Sequence, residues 1–202
     1  MTYRNTQQAL RSLTAVAATQ GGYFTAQQAE QAGYDFNHLT YHVNRGNFER
    51  VGRGLYRVPT IPLSEHDDLI RLTLWSRGRD DVPQAVVSHE SALSLHELSD
   101  MLPGKVHLTV PRSFRRNAPP ECKLHKAELA PDDSTAWGAF RVTTPLRTLT
   151  DVASENAVPT EQLVRAVRDA LERGLVARST LRAAVAAADP HSRLPRLVPE
   201  LP

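Results

Sequence analysis

Few residues in this chain of 202 are spaced for chemistry. His38 and His42 stand one helical turn apart, a spacing that can hold a transition metal. No Cys, Asp or Glu joins them on that face, so the further ligands such a metal needs are missing and no metal is expected there. His89-Glu90 and His96-Glu97 offer two His-Glu pairs, but their histidines are seven apart, and a zinc-hydrolase helix needs them four apart. Glu121-Cys122-Lys123 has the acid-x-Lys form. With an acid on a neighbouring strand, that form can hold magnesium and assist an attacking water, so a metal-dependent nuclease using Glu121 and Lys123 stands as one alternative. No nucleophile elbow, P-loop or dinucleotide fingerprint occurs. No cofactor and no catalytic residue is therefore expected, and the chain reads as a non-enzyme.

The arginines carry more information. Three of the 24 basic residues are lysine (Lys105, Lys123, Lys126), and the rest are arginine. The formal charge is only +2, which excludes a polycation of histone type. The sum hides an asymmetry. Residues 1–59 hold Arg4, Arg11, Arg45, Arg50, Arg53 and Arg57 against Glu30, Asp35 and Glu49, a net of +3, and the remainder is near neutral. Four of the six arginines fall between 45 and 57, which points to a polyanion partner. A second basic group, Lys105 with Arg112, Arg115 and Arg116, could extend a DNA footprint or meet a protein. One cysteine, Cys122, excludes an intramolecular disulfide framework. The first twenty residues resemble neither a signal peptide nor a membrane span, so a cytoplasmic protein without membrane contact is expected.

These side chains need elements to position them. Leu10, Leu13, Val16 and Ala17 recur as on a helix over residues 6–20, stopped by Gly21-Gly22. Tyr23-Phe24 is a short extended pair. Thr25 can cap a second helix over 26–32, closed by Gly33, and Asp35 a third over 36–45, closed by Gly46. Two β-prone runs, 48–51 and 55–58, flank Gly52-Arg53-Gly54 and predict a hairpin. Phe48 and Val51 have opposite parity, so the first strand must carry a bulge or start late. Three helices and a hairpin in this order make a winged helix-turn-helix at residues 1–59. Beyond it the pattern predicts a mixed α/β domain at 60–188. Its helices fall at 65–77, 88–98 (capped by Ser88), 145–154, 160–173 and 179–188 (capped by Ser179). Its strands fall at 86–87, 106–110, 122–129 and 140–143. An irregular proline-rich tail at 189–202 follows. The fold class is α+β.

Counting about 100° per residue from Phe36 puts Phe36, Leu39 and Val43 on the core side of the third helix. Tyr41, Arg45 and His38 then face outward, with Asn37 and His42 on the flanks. That outer face has no carboxylate. In a winged helix this element enters the major groove, where Arg45 can bond guanine, Asn37 adenine, and Tyr41, His38 and His42 phosphates or bases. Arg53 at the hairpin tip can enter a minor groove, and Arg50 and Arg57 can hold phosphates. A module whose winged helix binds a protein partner is the remaining alternative.

The run Gly22-Tyr23-Phe24-Thr25, Gln28-Ala29 and Gly33, then Gly46-Asn47-Phe48 and Val51-Gly52-Arg53-Gly54-Leu55-Tyr56-Arg57, resembles the N-terminal winged helix of AbiEi-type antitoxins. These belong to type IV toxin–antitoxin systems, which act in abortive phage infection. Val87-Ser88-His89-Glu90-Ser91-Ala92-Leu93, His96-Glu97-Leu98, Val106-His107-Leu108-Thr109-Val110-Pro111 and 143–151 are similar to blocks of actinobacterial members, so the resemblance spans about residues 6–155. It implies a DNA-binding antitoxin and transcriptional repressor that binds repeats in its own promoter. It also implies that the antitoxin opposes a nucleotidyltransferase-like toxin, often without a stable complex. The 143–151 block reads as fold-forming, with Arg147 pairing Asp151 at i, i+4.

Overall fold

Ala9, Leu13 and Ala17 recur every four residues and are buried along one stripe of α1 (Tyr3–Ala18). The fold was taken from a computed structural model, which describes residues 3–155, 157–189 and 191–197, with residues 3–6 described by their backbone only. Gly21 and Gly22 both take positive φ and turn the chain into β1 (Tyr23–Thr25). Thr25 then caps α2 (Ala26–Gln31) reciprocally. Its hydroxyl accepts from the Gln28 amide, and the Gln28 side chain accepts from the Thr25 amide. Gly33 at φ 98° breaks the helix, and Asp35 Oδ1 accepts the His38 amide at 2.7 Å to start α3 (Phe36–Asn44).

The hairpin is β2 (Glu49–Gly52) and β3 (Leu55–Arg57), antiparallel, with β3 also pairing β1 in the order β1-β3-β2. The parity conflict at Phe48 and Val51 is resolved in both expected ways. The strand starts at Glu49, and its register shifts between Arg50 and Gly52. Phe24, Tyr34, Leu39, Phe48 and Tyr56 fill the space between helices and sheet, with the Phe24 ring edge-on to Phe48 at 5.0 Å and stacked on Tyr56 at 5.6 Å.

The chain divides into two compact units, residues 1–85 with 137–140, and residues 86–136 with 141–202. The first unit therefore runs past residue 59 and takes in α4 (Asp67–Trp75), which buries Ile70, Leu72 and Leu74. Polar ties bind this extension to the winged helix. Tyr23 Oη donates to Asp67 at 2.7 Å, Thr25 Oγ1 donates to Asp81 at 2.9 Å, and Arg77 bonds both Asp81 and Gln20.

In the second unit lie β4 (Val86–Val87), α5 (His89–Leu95), β5 (Val106–Val110) and β6 (Cys122–Lys126). A short 3-10 turn at Pro131–Asp133 leads to β7 (Ser134–Trp137) and β8 (Phe140–Thr143). The five strands make a mixed sheet in the order β6-β5-β4-β8-β7, with β5 parallel to β6 and antiparallel to β4, and β4 parallel to β8. Helices α6 (Pro145–Ser154), α7 (Thr160–Glu172) and α8 (Arg178–Ala186) build an apolar core from Leu149, Leu163, Val167 and Leu181. The protein is thus α+β, a winged helix followed by a mixed α/β region. Among the described residues no helix is long and apolar enough to cross a membrane.

Three expectations are corrected. Ser88 makes no capping bond to its helix, because its hydroxyl instead meets His89 Nδ1 and accepts from Thr109. The last long helix begins at Arg178 with Ala177 as its N-cap, so Ser179 lies inside it. The tail is ordered as far as it is described. Leu194 and Leu197 on α9 (Leu194–Leu197) are buried in the helical core, and Arg193 donates to the carbonyls of Val152, Glu155 and Val158. Residues 190 and 198–202 lie outside the described residues.

Candidate nucleic-acid interface

The turn between α2 and α3 decides which face of α3 meets solvent. Tyr34, 2% exposed, is its buried anchor. The His38 ring stacks on Tyr34 at 4.8 Å, and the His42 ring meets Tyr34 edge-on at 5.3 Å and Phe48 at 5.2 Å. His42 Nε2 lies 3.2 Å from His38 Nε2, and its Nδ1 lies 3.0 Å from the Asn47 amide nitrogen. Burial, then the neighbouring His38, hold the His42 imidazole below its ordinary range. These contacts turn the helix by about 60° from the angle that apolar periodicity implies. Phe36, assigned to the core side, is 78% exposed, while Leu39 is buried as expected.

The face left to solvent consists of Phe36, Asn37, Thr40, Tyr41, Asn44 and Arg45. It carries no carboxylate. The Arg45 guanidinium sits 5.3 Å from the centre of the Tyr41 ring, a cation–π contact that keeps both side chains together on the surface. Of the expected contact residues, Asn37, Tyr41 and Arg45 stand on this face, and His38 and His42 are drawn toward the aromatic core beneath it. Phe36, Thr40 and Asn44 also stand on it, which apolar periodicity does not indicate. The signal that could have found them is Tyr34, whose aromatic side chain two residues before α3 competes with Phe36 for the interior.

The wing separates its three arginines. Arg53, at the tip between Gly52 and Gly54, and Arg50 are exposed, and Arg50 Nε donates to the Gly52 carbonyl at 3.4 Å. Gly54 takes φ 67°, which a side chain would strain, and this lets the turn close without covering Arg53. Arg57 is committed elsewhere. It donates to the Ile61 carbonyl and pairs with Glu49 at 3.9 Å, and its side chain is 11% exposed.

In the second basic group Lys105 precedes β5, and Arg112, Arg115 and Arg116 follow it on the connection that returns to the start of β6. Arg112 and Arg115 form an exposed loop pair, with Arg115 donating to the Arg112 carbonyl at 3.2 Å.

The motifs that suggested metal chemistry are also placed. His96 is buried and its Nε2 meets the Thr143 carbonyl at 2.7 Å, a bond internal to the fold. Lys123 of the acid-x-Lys triplet pairs with Glu155 at 3.0 Å, and the residue opposite it on the neighbouring strand is His107, where a magnesium nuclease needs an acid. Arg147 pairs with Asp151 at 2.8 Å, as its spacing implies, and also with Asp133 at 2.7 Å. Burial, then the neighbouring His125, pushes His89 down to about 3. Against the upward push of burial, the bond from His107 helps hold Glu90 at about 2.

Residues 11–59 match the family model described as "Transcriptional regulator, AbiEi antitoxin". The match falls on the helix-helix-helix-hairpin unit just described and bears out the resemblance read from its residues over that segment. The fold as a whole is similar to the crystal structure of the RV2827C protein from Mycobacterium tuberculosis. The TM-score is 0.54 and the identity 17%, over 97% of this chain and 72% of that one. No curated protein matches the chain.

Proposed function

We propose that the protein is a DNA-binding antitoxin that represses its own operon by binding repeats in the promoter. In this reading it counteracts a nucleotidyltransferase-like toxin. The winged helix at residues 1–59 is the DNA reader, and the region over 60–188 supplies the antitoxin function. One observation carries the reading. A carboxylate-free face of α3 and an exposed arginine wing occur together on the segment that matches a family of transcriptional regulators.

The mechanism is occupancy, with no bond made or broken. Arg50 and Arg53 neutralise phosphates and steer encounter. The helix α3 lies in the major groove, where Asn37 in its first turn bonds adenine, Arg45 at its C-terminal end bonds guanine, and Phe36 packs on a thymine methyl. Thr40, Tyr41 and Asn44 bond phosphates and fix register. His38, His42 and Arg57 act one layer back, by holding the reading helix and the wing in place. The second basic group, Lys105 with Arg112, Arg115 and Arg116, can extend the footprint.

The reading is tested in cells with two readouts. A reporter fused to the DNA upstream of this gene should fall when the chain is supplied, and should recover with Arg45→Ala/Arg53→Ala. Growth arrest by a neighbouring nucleotidyltransferase gene should be relieved by the wild-type chain. A reporter indifferent to the protein rules out autorepression, and arrest that the chain does not relieve rules out the antitoxin role.

A further inference from the structure

The second unit holds a group of side chains that the DNA reading does not use. Parallel pairing of β5 with β6 sets His107 opposite Lys123 and Thr109 opposite His125, so these four project from one face of the sheet. His89 and Glu90 at the start of α5 and Glu155 at the end of α6 close over that face. His125 Nδ1 lies 2.9 Å from Glu155 Oε1, and His89 Nε2 lies 3.7 Å from the same oxygen. The His89 and His125 rings stack with centres 3.5 Å apart and planes 13° from parallel. One atom from each of His89, His125 and Glu155 falls within 4.8 Å of the others.

We propose that His89, His125 and Glu155 form a site for a single divalent transition-metal ion, with zinc the ion that fits best. Two imidazoles and one carboxylate are the three-ligand set that zinc takes when a fourth position is left to water. Imidazole donors argue against magnesium and calcium, which take oxygen.

The atoms behind these three support the assignment. A ligating histidine needs its other ring nitrogen bonded, so that its tautomer and orientation are fixed. His89 Nδ1 meets Ser88 Oγ at 2.9 Å, and that hydroxyl is held by Thr109 at 2.8 Å. Behind His125 the network must rearrange: its Nε2 lies 3.2 Å from His107 Nδ1, which bonds Glu90, so ligation through Nδ1 puts a proton on Nε2 that His107 accepts only by giving up Glu90. Glu155 presents Oε1 to the histidines while Lys123 holds Oε2 at 3.0 Å, which favours one-oxygen coordination. The side chains of His89 and His125 are 8% and 9% exposed and that of Glu155 is 33% exposed, so an ion enters, and its water sits, on the Glu155 side. His125 Nδ1 donates to Glu155, and its ring lies parallel to that of His89. Binding therefore turns the His125 ring and exchanges its hydrogen bond to Glu155 for a coordinate bond.

The test uses the full chain, dialysed against a chelator and titrated with Zn²⁺ in competition with a chromophoric chelator. One ion should bind per chain. His89→Ala, His125→Gln and Glu155→Gln should each weaken binding by about 100-fold or more, since even an outer-shell partner is worth about 10–100-fold. His38→Ala/His42→Ala should change nothing. With Co²⁺ the wild-type chain should give d–d absorption without a thiolate charge-transfer band, unaltered in Cys122→Ser. That spectrum does not depend on any ligand variant folding. Absence of stoichiometric Zn²⁺ binding, or binding that survives His89→Ala and Glu155→Gln or is lost with His38 and His42, would overturn the site. None of these outcomes bears on DNA binding.

Discussion

Arg53 and Arg57 lie four residues apart in one hairpin, and the structure gives them opposite roles. Arg57 donates to the Ile61 carbonyl with its side chain 11% exposed. Arg57→Ala removes that charged donor from a part-buried carbonyl, a bond that contributes about 1.5–3 kcal/mol. Its ion pair with Glu49, itself 59% exposed and 3.9 Å away, adds little to that sum. Arg53 is exposed at the tip. Arg53→Ala should therefore leave the urea midpoint within error of wild type. On DNA the order reverses. Each phosphate neutralised contributes about 0.9 to the slope of log affinity against log salt, so Arg53→Ala should lower the slope by about one. Arg57→Ala, measured where it remains folded, should keep the wild-type slope. Urea unfolding followed by circular dichroism and fluorescence anisotropy across a salt series give both numbers. A lowered slope with unchanged stability in Arg57→Ala would refute the assignment.

Four further outcomes follow from the geometry. Leu39→Ala should destabilise the first unit by about 2–5 kcal/mol, as a buried leucine does. Phe36→Ala, at a site 78% exposed, should leave stability unchanged and weaken DNA binding, and the reverse pattern would restore the helix angle implied by periodicity. Burial, and to a lesser degree Arg173, hold the His96 imidazole below its ordinary 6.5. Unfolding takes up protons as pH falls below 6.5, so the thermal midpoint should drop between pH 6.5 and 5, and less steeply in His96→Gln. A flat midpoint across that range in the wild type would contradict this. Leu194→Ala should cost about 2–5 kcal/mol although it lies in the proline-rich tail, and a neutral effect would mean that α9 does not pack as described.

Where local chemistry decides the outcome, residue pattern and structure agree. Thr25 and Asp35 cap α2 and α3, and the Phe48/Val51 parity conflict becomes the bulge at Arg50/Gly52. Arg147 finds Asp151 one turn away. Where long-range packing decides, the pattern was silent or misleading. The aromatic cluster around Tyr34 draws two polar histidines inward and turns Phe36 out, which no apolar periodicity encodes. Arg57 looks like its neighbours until the chain after β3 folds back to present the Ile61 carbonyl. The edge strand β7, Ser-Thr-Ala-Trp, is mostly exposed and has no alternation to read. The histidine cluster joins residues from α5, β5, β6 and the end of α6, up to 66 positions apart from His89 to Glu155, so no local spacing could announce it.

The central claim is that α3 and the wing together hold duplex DNA upstream of this gene. Its most direct measure is the affinity of the purified full chain for that duplex, set against a scrambled one, across a salt series. Wild type should prefer its own upstream DNA, and Arg45→Ala/Arg53→Ala should bind more weakly, with a salt slope lower by about one from the phosphate contact of Arg53 and a reduced preference from the base contact of Arg45. Equal affinity and equal slope for wild type and the double variant would contradict the account.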